Sequence, residues 1–363
     1  MRDILNFTYP ELAAFMQAEL GGPAFRTRQV WQWLWHKGAR SFEEMTNVSK
    51  ETRGLLAERC FISRPEIAET RVSSDGTTKF LLRFADGETV ETVLIPSESR
   101  EGVVRVTQCL SCQVGCAMGC TFCATGQMGF TRNMTMAEIL GQVLVAREYL
   151  ARTPDGPGLR NLVFMGMGEP LLNTREVMRS LETLNDEYGL AFSPRRITVS
   201  TCGLEKGLRE LGDSALAYLA VSLHAPTQAL REMLMPKAAR WPLDDLMAAL
   251  AAYPLKTRER LTFEYLLIGG VNDGIEHARA LSRLMARVKA KLNLIVYNPV
   301  PGAPYKAPTR ERTLAFEEML RAKHITVIVR KSKGQDIEAA CGQLKVAREQ
   351  NAACGEAFCP APQ

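Results

Sequence analysis

The chain of 363 residues has no uncharged apolar run long enough to cross a bilayer, so no membrane span is expected. Its charged opening, Met-Arg-Asp-Ile-Leu-Asn-Phe, is not followed by a continuous apolar stretch with a small-residue cleavage site. No secretory leader is expected, and the protein is read as cytoplasmic. There is no internal repeat. Histidines number four, and none stands three or four residues after His224 to make a helical metal pair with it. The cysteine run at 116–123 supplies three thiols, not four. What is present is the composition of a globular protein, with 46% hydrophobic and 23% charged residues. A net charge of +5 mildly favours an anionic partner. Ten cysteines in a reducing compartment point to metal ligands or catalytic thiols before disulfides.

Residues 11–60 read as helical, with Trp31, Leu34 and Trp35 on one face. Trp33 and the neighbouring Arg26, Arg28, Lys37 and Arg40 offer stacking and phosphate contacts to nucleic acid, although core packing is the favoured reading of the tryptophans. From about residue 65 the pattern alternates in strand fashion, over Ile67–Val72, Lys79–Phe84 and Thr89–Ile95. Asp75-Gly76 and Asp86-Gly87 between these segments are hairpin signals. Short β-rich runs follow at 103–109, 161–165, 197–200, 219–223, 261–267, 292–297 and 325–329. Thr135-Met-Ala-Glu138 is a capping box, and amphipathic periodicity marks helices over 173–184, 243–252, 276–288 and 310–322. Alternating strands and helices predict an α/β fold with a parallel sheet, which a partial barrel would satisfy. The expected division is a helical-plus-hairpin appendage over 1–97, a catalytic core over 98–347 and a poorly ordered tail over 348–363.

Cys116, Cys120 and Cys123 stand in a CxxxCxxC spacing. Three thiolates leave one metal position free for a substrate, as a [4Fe–4S] cluster with an open iron would. A zinc shell completed by Cys109 or Cys112 fits the spacing equally well. In parallel α/β folds reactive groups gather at the carboxyl ends of strands. The triplet follows the first core run, Gly166-Met-Gly168-Glu169-Pro170 the second, Ser200-Thr-Cys-Gly203 the third and Ser222-Leu223-His224 the fourth. Asn298-Pro299 and Cys341 follow later runs. Glycine permits close approach at Gly168, and a carboxylate or backbone carbonyl near Glu169 can receive an ammonium group. His224 reads as a hydrogen-bonding wall residue.

These motifs together resemble the radical S-adenosylmethionine enzymes. More narrowly, Gln113-Val-Gly-Cys116, the run from Phe164 to Asn173, Asn298-Pro-Val-Pro-Gly302 and the run from Asp336 to Leu344 look like the RlmN/Cfr family of RNA methyltransferases. The resemblance implies a partial (βα)6 radical SAM barrel with a small N-terminal RNA-binding domain. It implies methylation at carbon 2 of an adenosine in 23S ribosomal RNA and in some transfer RNAs, with a flavodoxin or ferredoxin as electron donor. The alternatives are methylation at carbon 8, or a zinc-stabilised RNA-binding protein without catalysis.

The resemblance also assigns roles. Cys116, Cys120 and Cys123 would hold the cluster, while Gly168, Glu169, Ser200, Ser222, Leu223, His224 and Asn298 would bind S-adenosylmethionine. Cys341 would carry the methyl group, Cys109 would resolve the adduct and Glu91 would accept the proton. Carbon 2 of adenine lies between two ring nitrogens and is no nucleophile, so direct polar methyl transfer is excluded. The implied route uses two S-adenosylmethionines per turnover. One methylates Cys341 by displacement. The second yields a radical that activates that methyl for addition to the ring, giving a transient protein–RNA adduct. Cys112 and the long segment 97–104 depart from the family pattern, and Cys354 and Cys359 match nothing in it.

Overall fold

The computed structural model describes residues 1–345 apart from 22, 100–101 and 154–155. The tail expected over 348–363, with Cys354 and Cys359, lies outside the described residues. In chain order the elements begin with β1 (Arg2–Asp3), α1 (Tyr9–Leu20), α2 (Ala24–Trp31), α3 (Lys50–Arg59) and β2 (Cys60–Phe61). The hairpin region supplies β3 (Glu66–Val72), β4 (Thr78–Arg83) and β5 (Thr89–Glu98). After β6 (Val104–Cys109) come β7 (Gln113–Gly115), α4 (Ala124–Met128), β8 (Phe130–Asn133), α5 (Met136–Leu150) and β9 (Leu159–Phe164). The remainder alternates: α6 (Thr174–Asn185), β10 (Ile197–Thr201), α7 (Glu205–Ser214), β11 (Tyr218–Ser222), α8 (Gln228–Leu234), α9 (Leu243–Ala251), β12 (Leu261–Leu267), α10 (Ile275–Met285), β13 (Ala290–Val296), α11 (Arg310–Arg321) and β14 (Val327–Arg330).

Among the described residues one ten-stranded sheet runs in the order β14-β13-β12-β11-β10-β9-β6-β5-β4-β3. The strands from β6 and β9 to β14 pair in parallel, linked by helical crossovers as the alternating pattern predicts. The β3–β4–β5 meander does not stand apart. Strand β5 pairs antiparallel with β6, Val93 facing Cys109, so the hydrogen-bonded sheet crosses the expected division after residue 97. The segment over 97–104 is the link between these two strands, with Glu98 opposite Val104.

Helix α5 shows how local chemistry sets an element. Thr135 and Glu138 form the expected capping box, and the helix then runs through buried residues from Met136 to Ala146 under the sheet. Trp31 and Trp35 are fully buried and meet edge to face, as core packing requires. Three helices, α4, α7 and α8, lie outside the periodic segments read from the sequence. Helix α8 has only seven residues, too few for a periodic pattern to be legible.

Candidate active site

The cysteine loop lies between β7 and α4. Gly115 opens it at φ +75°, and a Cβ there would meet the carbonyl oxygen of Gly129 at 2.0 Å, so only glycine fits. The Cys116 N–H donates to that carbonyl at 2.8 Å, and the Cys123 N–H donates to Cys120 O at 3.2 Å. Thr121 is fixed from outside, its N–H donating to Leu234 O and its hydroxyl meeting that of Tyr305 at 2.7 Å. Lys237 Nζ donates to Ala117 O. This loop presents Cys116, Cys120 and Cys123 to one cavity, shared with Gly168, Glu169, Ser200, Ser222, His224 and Cys341.

The donor set fits an iron–sulfur cluster. Burial pushes all three thiols up, Cys116 to about 11, so their anionic form needs cations at the sulfurs, which iron supplies. Cys109 and Cys112, the candidates to complete a zinc shell, do not line the cavity. Among the described residues no three His, Cys, Asp or Glu side chains converge on a single-ion site. Thiols spread around a cavity suit the corners of a cube better than the tight shell of one zinc ion.

On the facing wall, Gly168 sits at φ +104°, and a Cβ would meet Gln113 Cβ at 2.6 Å. The carboxylate of buried Glu169 is held in place. Its Oε1 accepts from Leu171 N–H at 3.0 Å and the Thr201 hydroxyl at 2.6 Å, and its Oε2 accepts from Cys202 N–H at 2.9 Å. Burial raises its pKa against these bonds. Ser200 and Ser222, at the ends of β10 and β11, place their hydroxyl oxygens 3.3 Å apart. His224 adopts a left-handed φ of +52°, and its Nδ1 accepts the Leu266 N–H at 3.0 Å, which assigns the proton to Nε2. Burial, reinforced by the positive charge of Arg231, lowers its pKa to about 3, so it is a neutral donor in the cavity wall.

Cys341 reaches the cavity on a loop without strand or long helix. Ala124 N–H donates to Gly342 O at 2.8 Å, and the Thr125 hydroxyl donates to Leu344 O at 2.7 Å, so α4 docks the loop directly after Cys123. The meander holds the other side. Asp336 accepts from the Ser73 hydroxyl at 2.6 Å and Ser74 N–H at 3.0 Å, and Gly334 N–H donates to Asp75 Oδ2 at 3.0 Å. Lys79 Nζ donates to Glu338 O at 3.2 Å. Glu91 is buried, paired with Lys79 at 2.8 Å, and its Oε2 accepts Lys345 N–H at 2.8 Å. Burial raises the Glu91 pKa while Lys79 opposes the rise.

Four expected site residues stand behind the cavity surface. They are Glu91, Cys109, Leu223 and Asn298. Asn298 spends its side chain on the Cys341 loop, accepting from Gln335 Nε2 at 2.7 Å and donating to Cys341 O at 3.3 Å. Leu223 N–H donates to Glu264 O at 3.0 Å. Cys109, buried at the end of β6, is pushed up to about 12 by burial and by the nearby Cys341. Cys341 is exposed as a residue, yet the protein packed around its thiol raises the pKa, and Arg330 pulls it back down.

Sequence reading missed Cys202, Arg231, Glu264 and Arg330. Cys202 lines the cavity beside Glu169, and fully buried Arg231 donates to Cys202 O at 2.6 Å and Leu223 O at 3.3 Å. Only Cys202 carried a sequence signal, its place in the run that ends β10. Among the basic residues read as phosphate contacts, Arg40 pairs with Glu148, Lys37 covers the Trp33 ring at 3.7 Å and Arg28 covers Tyr188 at 5.2 Å.

A parallel α/β sheet with a three-cysteine loop between β7 and α4, beyond its first parallel strand, and a glycine-rich turn after the next strand defines a radical S-adenosylmethionine protein. Residues 110–281 match the radical SAM superfamily, and residues 2–62 match the ribosomal RNA large subunit methyltransferase N-terminal domain. The chain is 74% identical over 351 residues to the dual-specificity RNA methyltransferase RlmN of Nitratidesulfovibrio vulgaris strain DP4, covering 96% of each chain. It is 67% identical to that of Oleidesulfovibrio alaskensis, covering 98% of this chain and 99% of the other. The crystal structure of a radical SAM methyltransferase from Sphaerobacter thermophilus superposes with a TM-score of 0.87 at 43% identity, over 95% of this chain and 99% of that one. The chain belongs to the RlmN family of radical SAM RNA methyltransferases.

Proposed function

We propose that this protein methylates carbon 2 of an adenosine in 23S ribosomal RNA and in some transfer RNAs, through a methyl carried on Cys341. The observation that carries the reading is that Cys341, 218 positions after Cys123 in the chain (341 − 123), opens on the same cavity as the three clustered thiols. Cys116, Cys120 and Cys123 would hold a [4Fe–4S] cluster, which would supply the electron for reductive cleavage of S-adenosylmethionine.

The protein's own groups do the rest. Arg330 favours the Cys341 thiolate, which displaces a methyl group from one S-adenosylmethionine and keeps it as a thioether. The fixed Gly168–Glu169 turn, Ser200, Ser222 and the Nε2–H of His224 provide polar contacts for the second S-adenosylmethionine. After the 5′-deoxyadenosyl radical from the second S-adenosylmethionine takes a hydrogen atom from the methyl on Cys341, the methylene carbon adds to carbon 2 and the adduct gives one electron back to the cluster site. Glu91 accepts the ring proton, with Lys79 stabilising its carboxylate beforehand. The Cys109 thiolate then attacks the Cys341 sulfur, the carbon–sulfur bond breaks, the freed carbon takes up a proton to become the methyl group of the base, and a Cys109–Cys341 disulfide is left for reduction. Residues 1–97 supply the RNA contacts and the proton acceptor Glu91, residues 98–347 the rest of the chemistry, and a small flavin or iron–sulfur protein such as flavodoxin or ferredoxin the electrons. Among the described residues no helix is long and apolar enough to cross a membrane.

The test combines the anaerobically reconstituted protein, a reductant, S-adenosylmethionine and unmodified RNA, and locates the new carbon by mass spectrometry and NMR of digested nucleosides. 2-Methyladenosine is the expected product. 8-Methyladenosine would establish the carbon-8 reading, and a zinc-bearing protein without acid-labile sulfide or product would establish the non-catalytic one.

A further inference from the structure

The amino ends of the parallel strands, opposite the thiol cavity, carry a second cavity. His36, Arg147, Arg160, Arg195 and Arg196 line it, and among the described residues no carboxylate does. Arg160 stands near the start of β9, and Arg195 and Arg196 directly precede β10. Phe164 and Ser200, towards the other ends of these two strands, line the thiol cavity, so about 13 Å of strand separates the sites.

Charge sets this cavity apart. Arg147 of α5 donates to Trp35 O at 2.8 Å and to His36 O at 3.0 Å, which holds its guanidinium in place without neutralising it. Burial lowers its pKa, and no carboxylate acts against that loss. Arg196 donates to Asn161 Oδ1 at 3.4 Å, again a neutral acceptor, while Arg160 and Arg195 are exposed and have no ion-pair partner among the described residues. Arg28, Lys37 and Arg40, by contrast, are each spent on an aromatic ring or a carboxylate. Four guanidinium groups gathered without a counter-charge repel one another, and an anion entering the cavity would relieve that repulsion.

The cations continue in a row. A neighbouring cavity shares Ser193, Arg195 and Tyr218 with the first and adds Lys256 and Arg260, the latter directly before β12. The one carboxylate lining it among the described residues, Glu259, accepts the Lys256 N–H at 3.1 Å. From β9 to β12 is three strand spacings, about 14 Å. A single small anion would meet only part of such a row, whereas phosphates repeating along a nucleic-acid strand would meet it throughout. Arginine suits them, because its fork of donors matches phosphate oxygens.

We propose that this arginine row binds the phosphate backbone of the RNA substrate at a segment distant from the base being methylated. The target base must reach the carboxyl ends of the strands, so the phosphates met at their amino ends belong to another part of the molecule. The proposal rests on the reading of 23S ribosomal and transfer RNA as substrates. It gives a long RNA a second point of attachment, which raises affinity without touching the chemistry.

The experiment is equilibrium binding to the cluster-loaded protein over a series of salt concentrations. The ligands are unmodified full-length 23S ribosomal and transfer RNA, and stem-loops just large enough to present each target adenosine. Arg160→Gln combined with Arg195→Gln removes two charges that have no ion-pair partner among the described residues. This variant is expected to bind at least one full-length RNA roughly tenfold more weakly, with the slope of log affinity against log salt shallower by about 2. Its binding and methylation of the stem-loops, and its iron content, are expected to match the wild type. Unchanged binding of both full-length RNAs overturns the proposal. It does so equally if the variant has instead lost a site for inorganic phosphate, which marks a small-anion site, or its reduction by flavodoxin, which marks a protein-docking face. Equal weakening towards full-length RNA and stem-loop also overturns it. If the double variant does not load its cluster, Arg195→Glu alone takes its place with the same expected pattern. A wild-type protein that binds none of these RNAs would instead sink the underlying reading of them as substrates.

Discussion

The thiols at 116–123 and the thiol at 341 face one cavity but are positioned by different means. The first three sit on a loop shaped largely by its own turn chemistry, with Gly115 forced into a left-handed conformation and backbone bonds from Cys116 to Gly129 and from Cys123 to Cys120. Cys341 has no such local frame. Its loop is laced to Ser73, Ser74, Asp75 and Glu91 of the N-terminal meander, to Asn298, and to α4. The meander, which extends the catalytic sheet, thus has a positioning role for Cys341. Damage to the first frame should abolish metal binding, and damage to the second should misplace a thiol while leaving the metal alone.

The sharpest separation comes from cysteine replacement. Cys120→Ala is expected to lose iron, acid-labile sulfide and 5′-deoxyadenosine formation together. Cys341→Ala should retain all three and form no methylated RNA, and Cys109→Ala should accumulate a protein–RNA adduct on denaturing gels. A Cys109→Ala protein that turns over normally would remove its resolving role. Loosening the second frame is milder. Asp336→Ala removes the bonds from Ser73 and Ser74, and misplacement of a reacting group by about an ångström costs up to roughly 100-fold. A fall in methylation of about 10- to 100-fold at unchanged iron content is expected, with faster amide exchange over 333–345.

Acid probes the wall between the two frames. Because the folded pKa of His224, about 3, lies below its ordinary value of 6.5, the unfolded chain binds the extra proton first. Its contribution to stability is complete above about pH 6.5 and shrinks by about 1.4 kcal/mol per pH unit as pH falls toward 3. Urea midpoints measured across that window should show the slope in the wild type and a flatter one in His224→Asn. Cys112→Ser is expected to have the smallest effect. The thiol is buried against Met167 O at 3.7 Å, a partner that a hydroxyl can also use, so stability should change by about 1 kcal/mol or less and methylation should persist. Lost methylation in that variant would give Cys112 a role in the cluster frame.

Much of this was legible in the chain. Dipeptides such as Asp75-Gly76, the Thr135–Glu138 capping box and the alternation of strands with helices specified the parallel sheet, because turn and cap chemistry act over a few residues. The cavity-lining motifs were legible for a related reason, since each follows a strand of a sheet whose strand ends are known to gather reactive groups. Glu264 and Arg231 were not. A glutamate inside an apolar strand and an arginine on a seven-residue helix carry no spacing signal, and their burial is visible only when other strands close around them.

The sequence alone determined the three-thiol loop, the family and the order of strands and helices, since these depend on residue type and short-range spacing. Only the tertiary structure decided that the β3–β5 meander joins the catalytic sheet, that Glu91 grips the Cys341 loop at Lys345, and that one oxygen of Glu264 is buried without a partner among the described residues. Those outcomes depend on hydrogen bonds between separate elements, 254 residues apart for Glu91 and Lys345, whose partners are chosen by the packing of the whole chain and leave no mark on the residues beside them.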